Sequence, residues 1–330
     1  MMTATTLLRM ALLLASTVAA AQSPARAENA AAEYPNKPVR WVVPYPAGAS
    51  NDVVARTVAQ KLSATWQHQV IIDNRAGAGG TIAATLVSKA TPDGYTLLLA
   101  NPGPSVNNPL LQQDAQYRVE DFSPVVFIGY TPLIVVANPT FSANNVRELV
   151  QYCMANPGKV SWGSVGYGSS VHIGLALFQS VTGVNVVHVP YKGAAQSITE
   201  LIGGQIQVMH STMPSSAAQI KARKMKVLAV AGKDRLSAIP EVPTLSEQGI
   251  TGADSSNWFG VVVPAVTPRK IVSTINSAVN AALQTAEVRR RLESLDLTIA
   301  GGSPAEFETF MRNETQRVRA LIKTGPLTLQ

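Results

Sequence analysis

The sequence is poor in cysteine: Cys153 is the only residue of this type among 330. A single cysteine excludes an intramolecular disulfide, and its place in an apolar helical run predicts a small core residue rather than a nucleophile. The four histidines form no H-x-x-x-H motif and no Cys/His cluster. The sequence therefore predicts no metal site.

Aromatic residues are also scarce, at 6% of the chain, and they do not interleave with the basic residues. The formal charge is +7, from 27 basic and 20 acidic side chains. Without aromatic platforms beside the cations, this charge does not indicate a nucleic-acid partner. A mild positive field can still draw small anions toward a cleft.

The apolar stretch at residues 10–15 is too short to span a bilayer. Arg9 precedes it, and small-x-small motifs that end at Ala21 and Ala27 follow it. This arrangement is typical of a secretory signal peptide, so we expect residues 1–27 to be removed and the mature protein to be periplasmic. The sequence leaves open whether cleavage follows Ala21 or Ala27.

Apolar residues make up 46% of the chain and occur in short runs between helical patterns. The runs at 39–43, 70–72 and 95–99 have the length of strands, and helical patterns at 52–66 and 80–90 separate them. Continuous apolar strands that alternate with helices predict an α/β fold with a parallel sheet covered on both faces.

A second series of the same kind follows the strand predicted at 127–136. It consists of strands at 159–162, 184–189, 205–209 and 226–231 with helices between them. The strand at 258–264 is followed by helical patterns alone, which cannot easily make a third core. We therefore expect the C-terminal part to return to the first domain, so that the chain crosses near 130–134 and 255–258. The predicted domains are 28–133 with 257–330, and 134–256, with a cleft between them.

The first strand and its helix are joined by Pro44-Tyr45-Pro46-Ala47-Gly48-Ala49-Ser50-Asn51-Asp52. Strand, small-residue turn and helix together direct free backbone N–H groups and the positive helix end toward an anion. No lysine or arginine lies inside the turn, so neutral dipoles would hold the ligand. The alternative is an ordinary βα connection capped by Ser50 or Asn51.

A glycine-rich turn at 163–170 precedes the helix predicted at 171–182 and would face the first turn across the cleft. Two helix N-termini that converge on one point form a carboxylate site without a cation. The alternative is a turn whose glycines serve backbone shape alone. Val171 replaces the last glycine of a dinucleotide-binding pattern, and Trp162 replaces the first glycine of a G-x-S-x-G motif, so neither motif is present and no cofactor is expected.

His172 lies in the first turn of the second helix, where it could donate a hydrogen bond to an anion or serve only as a structural group. A serine hydrolase that uses Ser169 or Ser170 with His172 is an alternative function. We disfavour it, because a serine and a histidine two or three residues apart at a helix start do not readily form a nucleophile–base pair.

Several blocks of the chain, taken together, resemble one family over residues 34–325. The blocks are the turn at 44–52, Asn74-Arg75-Ala76-Gly77-Ala78-Gly79-Gly80, Asp93-Gly94-Tyr95-Thr96-Leu97, His188-Val189-Pro190-Tyr191-Lys192-Gly193 and Trp258-Phe259-Gly260. In order and spacing they are similar to the Bug-type substrate-binding proteins of tripartite tricarboxylate transporters. The resemblance implies a type II periplasmic binding fold, in which two α/β lobes joined by two crossing strands close on a small carboxylated solute. It also implies integral-membrane transporter subunits as partners and a monomeric receptor.

The resemblance further implies a set of ligand-binding residues. They are Ala47, Gly48, Ala49, Ser50 and Asp52 in the first turn; Ser164, Gly166, Tyr167, Gly168, Ser169, Ser170 and His172 in the second; Ser105 and Thr131 at the cleft wall and crossing; and His210, Ser211 and Thr212. Family members often carry an aromatic-Asp-Asn run where this chain has His210-Ser211-Thr212. Our hypothesis is that this less negative wall receives the distal end of the ligand and favours an acidic or polar group over an amine.

Asp52 is the least obvious member of the set, because a carboxylate cannot touch an anionic ligand without an energetic cost. We expect it to cap backbone amides or to orient a bridging water. The sequence does not identify the carboxylate, which could be a di- or tricarboxylate or an aromatic acid. It also does not separate transport from ligand sensing for a membrane signalling partner, because both use the same fold.

Overall fold

The computed structural model describes residues 34–325 and residue 327. The predicted signal peptide, residues 1–27, lies outside this range. From Lys37 onward the described chain forms one compact unit. Its strands are β1 (Val39–Val43), β2 (Val70–Asn74), β3 (Thr96–Ala100), β4 (Phe122–Ala137), β5 (Ser161–Ser164), β6 (Val187–Pro190), β7 (Val208–Thr212), β8 (Lys226–Val230), β9 (Ser256–Pro264) and β10 (Thr298–Ile299). Its helices are α1 (Ser50–Trp66), α2 (Thr81–Ser88), α3 (Asn108–Leu111), α4 (Val146–Ala155), α5 (Ser170–Thr182), α6 (Ala194–Ile202), α7 (Met213–Lys221), α8 (Arg269–Gln284), α9 (Ala286–Glu293) and α10 (Pro304–Thr324).

The strands form one mixed sheet in the order β2-β1-β3-β9-β4-β7-β5-β6, and β8 and β10 also pair with β4. β1 runs parallel to β2 and β3, with Trp41 opposite both Ile72 and Leu97. β5 runs parallel to β6 and β7, whereas β4 is antiparallel to β7 and β9. The prediction of parallel strands alternating with helices is confirmed for each end of the sheet.

β4 belongs to both ends of the sheet, because its partner changes along its length. It pairs with β9 from Phe122 to Pro132 and with β7 from Leu133 to Ala137. We call β1, β2, β3, β9, β10 and residues 122–132 the first half, and β5 to β8 with residues 133–137 the second half. The change of partner supports the predicted crossing near 130–134. The domain bounds 28–133 with 257–330, and 134–256, stay a prediction.

The second crossing runs beside the first. Leu133 N donates to Ser255 O at 2.9 Å, and Ser255 N donates to Ala231 O at 2.8 Å. β9 then begins at Ser256 and continues into the first half. The two halves are therefore connected by adjacent, hydrogen-bonded segments of chain, which is the arrangement a hinge needs.

Helix α5 packs into the cores of both halves, because it carries apolar residues on nearly all of its sides. Leu175 and Phe178 lie in the core of the second half, where Phe178 contacts Trp162 with ring centroids 5.1 Å apart. Ile173 and Leu177 lie in the core of the first half. The helix that starts at the second turn is thus anchored on both sides of the crossing.

Two further features concern single elements. Cys153 is fully buried in α4, which confirms its prediction as a core residue. β7 lies three residues later than the predicted 205–209, because Gln205 N donates to Glu200 O and so still belongs to the turn that ends α6.

Among the helices that the structure describes, none has the length and apolar character needed to cross a membrane.

Candidate functional site

The turn between β1 and α1 leaves the first amides of the helix open. Ala49 occupies the cap position with an extended backbone (φ −69°, ψ 161°), and no side chain accepts a hydrogen bond there. Within the described residues, the backbone N–H groups of Ser50, Asn51 and Asp52 therefore have no acceptor. The alternative of a cap from Ser50 or Asn51 is wrong, since Asn51 Oδ1 instead accepts from Asn101 Nδ2 at 2.9 Å. Open amides at a helix start can bind an anion.

Asp52 is buried beside this turn and is fully paired. Its carboxylate accepts from Gly48 N at 2.9 Å, from Arg56 Nε at 2.9 and 3.0 Å and from Asn74 Nδ2 at 2.9 Å. Burial alone would raise the pKa of Asp52, but the hydrogen bonds from Arg56, Gly48 and Asn74 outweigh it and hold that pKa below its usual value. The expectation that Asp52 caps a backbone amide is confirmed. Because Arg56 neutralises its charge, Asp52 repels a nearby anion less than a free carboxylate would.

The turn before α5 is held by its own serines. Ser164 Oγ accepts from Gly166 N at 3.1 Å and lies 2.6 Å from His188 Nε2. Ser169 Oγ donates to Gly166 O at 2.6 Å and accepts from His172 N at 3.3 Å, so Ser169 is the cap of α5. The hydroxyl groups of Ser164 and Ser169 thus fix the shape of the turn.

His172 and His188 form a stacked pair under this turn. Their ring centroids lie 4.2 Å apart at 13°, and the Tyr167 ring meets both edge-on at 5.4 and 5.0 Å. Burial, together with the neighbouring His188, lowers the pKa of His172 to about 3, and burial lowers the pKa of His188 to about 4. Both imidazoles are therefore neutral at pH 7.

The proton of neutral His172 is located by one hydrogen bond. Gly168 N donates to His172 Nδ1 at 3.2 Å, so the ring carries its proton on Nε2 and can donate from that atom. The hydrogen bond from Gly168 N occupies His172 Nδ1, and the Ser169 hydroxyl donates to Gly166 O instead of to the histidine. The serine hydrolase alternative therefore has no nucleophile–base pair in this geometry.

The segment that follows β3 brings the two turns together. Asn107 Nδ2 donates to Gly168 O at 2.6 Å. A Cβ added at Gly103 would lie 3.3 Å from Tyr45 Oη and 3.7 Å from Gly168 O. Gly103 therefore lies between the hydroxyl end of the Tyr45 side chain and the Gly168 carbonyl in the second turn. Among the described residues, no hydrogen bond joins 46–52 directly to 164–172.

Ser105 and Thr131 are internal to the fold. Ser105 is fully buried in the π-helical turn Gly103–Asn107, and its Oγ accepts from Asn101 N at 3.3 Å. Thr131 Oγ1 donates to Asn257 O on the neighbouring strand at 3.5 Å. Both hydroxyls thus support the segments that surround the two turns.

His210, Ser211 and Thr212 lie on β7 rather than after it. Because neighbouring residues on a strand point to opposite faces, His210 and Ser211 do not share a face. Ser211 Oγ lies 2.7 Å from Ser216 Oγ, and Thr212 Oγ1 donates to Ser215 Oγ at 3.0 Å. The predicted wall therefore presents its three side chains in two directions.

The His210 ring lies beneath α5. It is fully buried and packs at a tilt of 32° against Trp162, with ring centroids 5.3 Å apart. Neither ring nitrogen has a hydrogen-bond partner among the described residues. A Cβ added at Gly174 would lie 3.2 Å from the ring, so Gly174 provides the space for it. Burial lowers the pKa of His210 to about 3 and keeps the ring neutral.

Sequence reasoning missed several residues of this region. Asn107 and Asn108 were not predicted, although Asn108 Nδ2 donates to Gly79 O at 2.9 Å and Asn107 reaches Gly168. His188 was noted only as part of a family block. The available signal was the asparagine-rich segment directly after the third predicted strand, where a parallel sheet places its functional residues.

Comparison with known proteins gives concordant results. The family model described as the tripartite tricarboxylate transporter family receptor, TctC, matches residues 54–327. The protein BugT of Bordetella pertussis is 34% identical over 292 residues, which cover 88% of this chain and 90% of BugT.

Two solved structures are similar to the whole unit. Rpa4515 of R. palustris, determined with adipate, has a TM-score of 0.83 and 31% identity and covers 90% of this chain and 100% of its own. MatC (Rpa3494) of Rhodopseudomonas palustris, with bound malate, has a TM-score of 0.80 and 28% identity and covers 88% of this chain and 100% of its own. The predicted type II periplasmic binding fold is confirmed, and the chain belongs to the TctC family of periplasmic solute-binding receptors rather than to an enzyme family.

Proposed function

We propose that this chain binds a small carboxylated solute between the turn before α1 and the turn before α5. It then presents the solute to the membrane subunits of a tripartite transporter. The observation that carries the proposal is the set of open amides at Ser50, Asn51 and Asp52, together with the segment Gly103–Asn107 that contacts both the Tyr45 side chain and Gly168. These donors suit a carboxylate without requiring a lysine or arginine.

The donors are sufficient in number for useful affinity. A hydrogen bond to a charged group contributes about 1.5–3 kcal/mol. Three or four such bonds support micromolar binding after the costs of association. His172 Nε2–H is a further neutral donor on the second turn, and Asp52 is already paired with Arg56.

Dicarboxylates are the favoured class of solute. The similar structures Rpa4515 and MatC were determined with adipate and malate, which each carry two carboxylates. We retain the hypothesis that the end of β7 faces the distal group of the solute, with Thr212 as its most accessible member. Ligand-driven closure of the two halves about the crossings would complete the site.

Thermal denaturation of residues 28–330 tests this function. Adipate, malate, citrate and benzoate are the test solutes, adipamide is the uncharged control, and aspartate is the amine-bearing control. A true ligand at about 100 times its Kd adds about 2.7 kcal/mol to the free energy of unfolding and raises Tm. The proposal fails if no carboxylate raises Tm, or if adipamide raises it as much as adipate does.

The same series tests the preference of the distal wall. Calorimetric titration should show tight binding of a dicarboxylate or aromatic acid and weak binding of aspartate. Tight binding of the amino acid alone would contradict the distal-wall hypothesis while leaving carboxylate capture intact.

A further inference from the structure

A basic groove lies between α1 and α9, on a face of the first half that the proposed solute site does not use. It has a volume of about 550 Å³. Its lining consists of Val53, Arg56, Thr57, Gln60, Lys61, Ala64, Glu287, Val288 and Arg291. On α1 these positions recur at intervals of three and four residues, so one face of that helix forms one wall.

Among the described residues, the groove carries two unpaired cations and one unpaired carboxylate above an apolar floor. Within the part of the chain that the structure describes, no ion pair engages Lys61, Arg291 or Glu287. Val288 is buried at the floor, and Val53 is partly exposed beside it. Such a groove fits an extended chain that carries carboxylates and an apolar side chain.

Arg56 connects the groove to the turn before α1. Its side chain is 52% exposed at the groove, while its Nε donates to both oxygens of Asp52. Asp52 in turn accepts from Gly48 N inside the turn. A carboxylate that competes for Arg56 from the groove would therefore weaken the contact that shapes the turn.

We propose that this groove docks an acidic segment of the membrane partner and that Arg56 transmits docking to the turn before α1. A receptor of a tripartite transporter must contact the other components, and charge complementarity makes such contacts fast and reversible. A membrane surface is the less suitable occupant, because a flat sheet of headgroups contacts protruding residues rather than the floor of a groove. The docking claim goes beyond the proposed solute site, whereas the effect of docking on solute binding at the turn before α1 rests on that site.

Binding of fluorescein-labelled deca-glutamate, followed by anisotropy at 50 mM salt, tests the docking claim. Lys61→Glu with Arg291→Glu should raise the Kd of this probe at least tenfold. Lys221→Glu with Lys224→Glu, on exposed positions of the second half, is the matched control, because both double variants lower the formal charge from +7 to +3. The control should change the Kd less than threefold, and equal losses in both variants would overturn the groove as the site.

The occupant and the link to the turn need separate readouts. Vesicles of phosphatidylglycerol that bind with the same dependence on Lys61 and Arg291, without binding of the peptide, would overturn the acidic segment in favour of lipid. Saturating deca-glutamate should accelerate hydrogen exchange of the Gly48 amide, which donates to Asp52, at least twofold and leave 164–172 unchanged. Peptide binding without faster exchange at Gly48 would overturn the role of Arg56. Neither readout requires a known solute, so failure here is distinct from failure of carboxylate capture.

Discussion

The side-chain amide of Asn107 donates a hydrogen bond of 2.6 Å to the carbonyl oxygen of Gly168. Asn107 belongs to the segment after β3, and Gly168 belongs to the turn before α5. Asn107 is 2% exposed and Gly168 is also buried, so the bond is shielded from water. It fastens the second turn of the proposed site to the first half.

Asn107→Ala should weaken solute binding by removing this fastening. The Gly168 carbonyl would lose a buried donor, which costs about 1–2 kcal/mol and corresponds to a five- to thirtyfold rise in Kd. Isothermal titration with the carboxylate that gives the largest thermal shift measures the change. Asn138→Ala is a matched control, because Asn138 Nδ2 donates to Leu201 O at 2.7 Å within the second half. A fall in Tm with unchanged affinity in both variants would contradict the fastening role.

Asp52→Asn should weaken solute binding modestly, by about two- to tenfold. The asparagine side chain has only one accepting oxygen, so it cannot keep all the hydrogen bonds that Asp52 accepts from Gly48 N and Arg56 Nε. The turn therefore loses part of its support. Asp73→Asn is the control, because Asp73 pairs with Arg40 and Arg75 at the end of β2. A gain in affinity above tenfold for Asp52→Asn would show that the carboxylate opposes the ligand rather than shaping its site.

Ser50→Pro removes one proposed donor while preserving the helix. Ser50 is the first residue of α1, where proline is tolerated, and Ala49 has the extended backbone that a following proline requires. The loss of one charge-assisted hydrogen bond of about 1.5–3 kcal/mol should raise Kd by about 10- to 150-fold. Ser50→Ala keeps the backbone N–H and should bind normally. Equal affinity of the two variants, measured by titration, would exclude the Ser50 amide from the site.

Local patterns were sufficient to predict the two turns, because small residues between an apolar strand and a helix are visible within about ten residues. The contact between Asn107 and Gly168 joins positions 61 apart in sequence, and it depends on the π-helical turn at Gly103–Asn107. That turn has no sequence period that a pattern could detect. Such long-range relationships follow from the fold rather than from the local sequence.

The predicted wall at 210–212 also shows that local sequence does not define tertiary contacts. The predicted strand ended at 209, whereas β7 runs from Val208 to Thr212. Residues 210–212 therefore lie within the strand, where successive side chains alternate between its two faces, rather than together in a loop that follows it. The burial of His210 beneath Gly174 is a tertiary contact that cannot be predicted from the local sequence around either residue.

The buried histidines His172 and His210, with the partly buried His188, make the free energy of unfolding depend on pH. Burial lowers the pKa values of His172 and His210 to about 3 and of His188 to about 4, against 6.5 for an unperturbed histidine. The unfolded chain therefore binds protons below pH 6.5 that the folded chain excludes. The stability that neutral histidines contribute is complete above pH 6.5 and falls as pH decreases toward 4, by up to about 1.4 kcal/mol per pH unit for each histidine.

Urea unfolding at pH 7.5 and pH 5.0 measures this loss, and His210→Leu isolates one contribution. Both ring nitrogens of His210 lack partners within the described residues, and Trp162 and Phe178 surround the ring. An apolar side chain of similar volume should therefore be tolerated at pH 7.5 and should reduce the loss at pH 5.0 by about 1–2 kcal/mol. An identical pH dependence in wild type and His210→Leu would mean that His210 gains a hydrogen-bond partner in solution.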